Sequence, residues 1–190
     1  MKLTIKLTGA FATLLLWGCS THSNDEYGTV SSGDSSASYI QWNENYAVTV
    51  KHIKQLDSYV YLSGKYDIQF FEKKSTKIPK WRSLKSKESL TMSGFYNGEH
   101  ISLEGHDMGI NVKPNSTPIP VYRVVDVAIK PGMSGGPVTG DDGAVVGMNI
   151  GFSKESLNFG ERSYKISVYI PYEIILKEWI NYQKILDEDD

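Results

Sequence analysis

The stretch 128–152, AIKPGMSGGPVTGDDGAVVGMNIGF, decides how this 190-residue chain is read. It sets Ser134 among glycines, then a turn at Asp142-Gly143, then an apolar run. Two readings compete. Ser134 is a nucleophile in an anion-binding loop, or a small residue in a tight turn between two strands. A seryl hydroxyl needs a base to take its proton and backbone N–H donors where an oxyanion forms. Gly132 can take backbone angles closed to other residues and turn its N–H towards a reacting carbon. Gly135 and Gly136 let a substrate backbone come close.

Working outward, the chain from Tyr39 is built of short apolar or alternating runs. YAVTV (46–50), SYVYL (58–62), YDIQFF (66–71), SLTMSGF (89–95), HISLEG (100–105), GINVK (109–113), VYRVVDVAI (121–129), AVVGMNIGF (144–152) and YKISVYI (164–170) read as strands. They are rich in Val, Ile, Tyr and Phe. Asn97-Gly98, Pro114-Asn115 and Asp142-Gly143 supply turns between them. Nine short strands without helical patterns among them predict an all-β antiparallel barrel or sandwich. The end differs. PYEIILKEWINYQKILDEDD places Tyr172, Ile175, Leu176, Trp179, Tyr182 and Leu186 at helical spacing behind Pro171, which suits a first helical position. A C-terminal helix packed on the β domain follows.

The Ser134 loop also satisfies G-x-S-x-G, the nucleophile elbow of α/β-hydrolases, in which the histidine follows the serine. The four histidines here, His22, His52, His100 and His106, all precede Ser134. That excludes the elbow and leaves open the order histidine, acid, serine.

At this point the segment resembles the nucleophile segment of chymotrypsin-like serine proteases, most of all the bacterial periplasmic and glutamyl-endopeptidase-like branches. Those carry P-G-N-S-G-G-P-V, an Asp-Gly turn, then V-V-G-I-N. Met133 stands where Asn or Asp is usual. The trypsin branch binds a freed N-terminus there, so the resemblance implies no activation of that kind. NYAVTVKHI (45–53) resembles the family's V-T-A-A-H segment and marks His52 as the base. YDIQFFEKK (66–74) resembles its D-I-A-V stretch and marks Asp67 as the acid, with Asp57 as the alternative. The separation of His52 and Asp67, 67 − 52 = 15 residues, is short for the family and implies a reduced N-terminal barrel. ISVYIPYEIILKEWI (166–180) and MSGFYNG (92–98) resemble the last strand with its helix and the turn opening the second barrel. The resemblance covers roughly residues 45–186. It implies a chymotrypsin-like double β-barrel with a C-terminal helix and a His52-Asp67-Ser134 triad. The N–H groups of Gly132 and Ser134 would hold the oxyanion. No metal or cofactor is implied. It also places Ala128 at the base of the specificity pocket, with Ile150, Gly151 and Ser167 in its walls. No acid stands at Ala128 and no histidine in the last two strands. The expected preference is therefore for medium apolar residues, Val, Leu or Ile.

The N-terminus reads as an address. Lys2 and Lys6 precede an apolar stretch from Leu7 to Trp17, too short to span a membrane in the mature protein. Leu16-Trp17-Gly18-Cys19 resembles the bacterial lipoprotein processing box. It implies cleavage of residues 1–18 and a lipid on Cys19, the chain's single cysteine. With Ser20 following, the outer membrane facing the periplasm is expected for a Gram-negative source. Residues 19–38 are polar and Ser-rich and read as a flexible tether, with a peptidase domain over 39–190. A single cysteine permits no intramolecular disulfide. A net charge of −2 and pI near 6.1 give no electrostatic case for nucleic acid. The expected partners are a protein or peptide substrate and, through Cys19, a membrane. A rival reading is a binding or chaperone-like envelope lipoprotein that keeps the fold without turnover.

Overall fold

Short β-branched and aromatic runs pair antiparallel along most of the chain. The computed structural model describes residues 26–113 and 122–189. The expected signal segment 1–18, Cys19, the first part of the tether and the Pro114-Asn115 turn lie outside the described residues.

The first half is a five-stranded sheet in the order β1-β2-β3-β5-β4, made of β1 (Tyr27–Ser32), β2 (Ser35–Gln41), β3 (Tyr46–Thr49), β4 (Tyr59–Leu62) and β5 (Gln69–Glu72). The second half is a closed barrel of β6 (Ser89–Tyr96), β7 (Glu99–Val112), β8 (Tyr122–Val125), β9 (Pro137–Thr139), β10 (Val145–Phe152) and β13 (Ser167–Pro171). A small hairpin, β11 (Leu157–Phe159) with β12 (Arg162–Tyr164), stands apart, and α1 (Tyr172–Asp189) closes the chain. The first half is thus reduced to a sheet with two edges, while the second is a full six-stranded barrel.

The strands begin earlier than the composition suggests. Tyr27 pairs with Ile40 and the register runs to Ser32 with Ser35, so β1 and β2 form a hairpin within the residues read as flexible. Ladder bonds are made by backbone groups, so a serine-rich strand pairs as well as an apolar one once a neighbour fixes it. Ala37, Tyr39 and Ile40 then reach the core, and Ser38 is wholly buried. The folded part therefore includes β1 and β2 and does not start at Tyr39.

HISLEG and GINVK, read as two strands, are one strand, β7. The register with β8 shifts between Asp107 and Asn111, and Gly109 sits in the left-handed region with φ 68°. A bulge there bends the strand without ending it. Asn97-Gly98 does make the β6–β7 hairpin, with φ 51° and 81°.

Pro171 ends β13, and α1 begins one residue later. Ile175 and Tyr182 are buried, but Leu186, expected on the packed face, is exposed because the helix runs past the sheet it covers. Trp179 is the centre of the contact. Its ring lies 5.1 Å from Phe70, 5.2 Å from Tyr46 and 6.1 Å from Trp42, three side chains of the first half. Tyr61 Oη donates to Glu178 Oε2 at 3.0 Å. The helix therefore fastens the end of the barrel chain to the first sheet, and the two halves are held as one body.

Candidate active site

Three backbone segments meet between the halves. The first is the turn after β3. Asp67, just before β5, reaches it with both carboxylate oxygens. Oδ1 accepts the amides of Lys51 and His52, each at 2.9 Å, and Oδ2 accepts His52 Nδ1–H at 2.5 Å. A proton held on Nδ1 leaves the Nε2 lone pair outward. The Asp67 hydrogen bond raises the His52 pKa above its ordinary 6.5; partial burial opposes it, and the carboxylate charge adds to the rise. His52 is half exposed and Asp67 mostly covered. Asp57, the alternative acid, is exposed on the surface, and it is Asp67 that meets the imidazole. His100 and His106 are exposed on β7.

The second segment is the loop before β9. Met133 N–H donates to Lys130 O at 3.1 Å, with Pro131 and Gly132 between them and Gly132 at φ 89°. That is a type II turn, which needs positive φ at its third residue. Met133 is wholly buried in the barrel core with Leu90, Met92 and Val138, and anchors the loop. Gly135 N–H donates to Asn149 O at 2.7 Å and Asn149 N–H to Gly136 O at 2.9 Å, so β10 backs the loop. Asn149 Nδ2 donates to Ser93 O at 2.8 Å, adding β6 to the same support.

The third segment is β2. Ser38 N–H donates to Ser134 O at 2.8 Å, and Thr49 Oγ1 donates to Ser38 O at 2.6 Å. Gly135 lies against this junction at φ 85°. A Cβ there would stand 2.0 Å from Ser38 O and 2.5 Å from Thr49 Oγ1, so the contact admits only glycine. Ser134 is in this way bound to the sheet whose strand β3 leads, three residues after Thr49, to His52. No hydrogen bond joins the Ser134 hydroxyl to the imidazole among the described residues.

The expected pocket residues are neighbours. Ser167 Oγ donates to Val127 O at 2.6 Å and accepts Ile129 N–H at 2.7 Å, bracketing Ala128. Gly151 pairs with Val168 and Phe152 with Ser167, while Ile150 sits where the β10–β13 register shifts. The Ser167 hydroxyl is thus engaged with the backbone on both sides of Ala128. Beside His52 and Asp67 opens a cavity of about 520 Å³, bounded also by Gln55, Leu62, Lys65 and Tyr122.

Sequence reasoning missed Ser38 and the supports from Thr49 and Asn149. Thr49 and Asn149 stood inside quoted motifs as ordinary strand residues. For Ser38 the one signal was its place next to Tyr39-Ile40, where the apolar texture begins.

No protein-family model and no curated protein matches the chain. Solved structures do. Rv3671c from M. tuberculosis H37Rv, in an inactive serine-to-alanine form, superposes with a TM-score of 0.67 at 11% identity, covering 83% of this chain and 86% of that one. The HtrA-type protease AlgW with a tripeptide gives a TM-score of 0.59 at 18% identity, covering 75% of this chain. Its serine-to-alanine form with a tripeptide gives 0.60 at 16% over the same share. The chain spans 54% of the AlgW structures it matches. At these identities the likeness is one of fold. The chain has the chymotrypsin-like fold of trypsin-type serine proteases, its first barrel reduced to a sheet and its C-terminus closed by a helix.

Proposed function

We propose that this protein is a serine endopeptidase that works through an acyl-enzyme on Ser134, exported and anchored by a lipid on Cys19. The observation that carries the reading is the Asp67–His52 arrangement standing on the sheet to which the Ser134 loop is hydrogen-bonded. In the reaction His52 Nε2 takes the Ser134 proton as Oγ attacks the scissile carbonyl carbon. The carbonyl electrons move to oxygen, and the N–H groups of Gly132 and Ser134 stabilise that charge. Collapse expels the amine, which leaves with the proton from His52, and water repeats the sequence to release the acid. Asp67 holds the Nδ1–H tautomer and stabilises the imidazolium. None of these steps calls for a metal or cofactor.

Two of the similar structures hold a tripeptide, which favours a peptide as the substrate class. An Ala128 base and a Ser167 hydroxyl already bonded to backbone favour a medium apolar side chain before the cleaved bond. The basic start, short apolar run and Cys19 support the anchor, and Ser20 supports the periplasmic face of an outer membrane. Profiling against a peptide library tests the reading. Cleavage after Val, Leu or Ile, lost in Ser134→Ala, is expected. Dominant cleavage after Arg or Glu overturns the preference, and no cleavage of any peptide overturns the peptidase.

The second reading, a binding protein with this fold and no turnover, is favoured by the missing Ser134–His52 hydrogen bond. Such bonds are often long in ligand-free sites and tighten with substrate, so the first reading is preferred.

A further inference from the structure

Ser38 does more than seal the interface between the halves. It is wholly buried, and each of its polar groups is spent on the nucleophile loop or its supports. Its N–H donates to Ser134 O at 2.8 Å and its carbonyl accepts Thr49 Oγ1 at 2.6 Å. Its hydroxyl donates to Gly132 O at 2.9 Å and accepts Phe95 N–H at 3.0 Å. One residue thus grips the loop on both sides of Met133, through the carbonyls of Gly132 and Ser134.

The grip bears on the orientation of the turn. The peptide joining Gly132 to Met133 is pinned at both ends, its N–H by Lys130 O at 3.1 Å and its carbonyl by Ser38 Oγ. Gly132 itself can rotate freely for lack of a side chain, so only external bonds fix which way its N–H faces. Phe95 completes the vise. Its carbonyl lies where a Cβ on Gly132 would come within 2.7 Å, while its N–H holds the Ser38 hydroxyl. Gly94 makes the room, since a Cβ there would meet Met133 Cα at 2.7 Å and Ser38 Oγ at 2.9 Å.

We propose that the Ser38 hydroxyl is a positioning residue for the oxyanion site: by holding the Gly132–Met133 peptide it fixes one side of Gly132, so that the Gly132 N–H, on the preceding peptide, faces the developing charge. This rests on the peptidase reading above. Without the hydroxyl, Gly132 O and Phe95 N–H lose a shared partner and the turn is free to reorient. The charge forms only as the serine adds, so the loss falls on the rate of addition and not on ground-state binding.

The test is the rate constant for phosphonylation of Ser134 by a fluorophosphonate, measured on the labelled fraction so that unfolded protein drops out. Ser38→Ala is expected to label roughly 10- to 100-fold more slowly than wild type, to the same end-point. Ser38→Thr, which keeps the hydroxyl, is expected within about threefold of wild type. A folded Ser38→Ala protein labelling at the wild-type rate overturns the role while leaving the peptidase reading intact. If Ser38→Ala does not fold, Ser38→Cys, of similar size but a weak donor, takes its place, and wild-type labelling by it overturns the role equally. Wild-type protein that takes no label at Ser134 removes the peptidase reading and this role together.

Discussion

Asp67 holds His52 by its backbone and its ring at once, with one carboxylate oxygen on the His52 and Lys51 amides and the other on Nδ1. The ring cannot turn or change tautomer without breaking bonds to the same carboxylate. On the proposed reading that gives the base a fixed direction, and the same carboxylate raises its pKa.

The first prediction is a pH profile. The Asp67 bond and charge raise the His52 pKa, and a base must be unprotonated to act. The acid limb of kcat/KM is expected above about 6.5, the ordinary histidine value. Asp67→Asn should move that limb to lower pH and reduce kcat roughly 10⁴-fold. The stability that His52 ionisation contributes has the sign of a raised pKa. It is fully present below about 6.5 and is lost as pH rises through the raised value. Rate profiles and denaturation midpoints on both proteins check this.

Gly135→Ala should be disabling. Its φ of 85° and the obstacles at 2.0 Å and 2.5 Å, one of them a backbone carbonyl, leave no room for a methyl group. A loss of more than about 2 kcal/mol in unfolding free energy is expected, together with loss of labelling at Ser134. Gly143→Ala, also at positive φ but with nothing near it, should cost less by urea denaturation.

Arg82 supports the β9–β10 turn that follows the loop. It bonds Glu88 with two nitrogens, at 2.8 Å and 2.6 Å, and Asp142 at 2.6 Å, with both Arg82 and Glu88 largely covered. Arg82→Met strands the Glu88 carboxylate and should cost about 3 kcal/mol. Arg82 and nearby backbone amides lower the Glu88 pKa below its ordinary 4.5, against the opposing effect of burial. Its contribution is therefore present above that value and is lost as pH falls through the lowered one. Denaturation of both proteins across the acid range reads this.

Removing the hairpin tests whether β1 and β2 belong to the folded part. A chain starting at Glu26 should unfold cooperatively and retain labelling. One starting at Tyr39 loses β1, most of β2's pairing and the Ser38 bonds to the loop, and should do neither. Circular dichroism melts separate the outcomes.

The second half of the chain was legible because its residues advertise their geometry. Asn97-Gly98 fixes a hairpin, Gly132 and Gly135 carry positive φ, and the β10 run is apolar and β-branched. His52, Asp67 and Ser134 stood in segments with their own sequence pattern. Ser38 did not, because its work is done by a backbone amide, a carbonyl and one hydroxyl, which any serine has. β1 and β2 were hidden for the same reason: a polar strand held by backbone pairing looks like a linker. The reduction of the first half was foreshadowed by the short spacing between His52 and Asp67, although its form, an open sheet, was not.

The central claim is that Ser134 is a nucleophile activated by His52, and labelling of the intact protein by a fluorophosphonate, located by peptide mass spectrometry, tests it most directly. The account predicts a single adduct on Ser134, absent in Ser134→Ala and formed at least roughly 100-fold more slowly in His52→Ala. A folded protein that takes no label, or a label elsewhere that persists in Ser134→Ala, contradicts it.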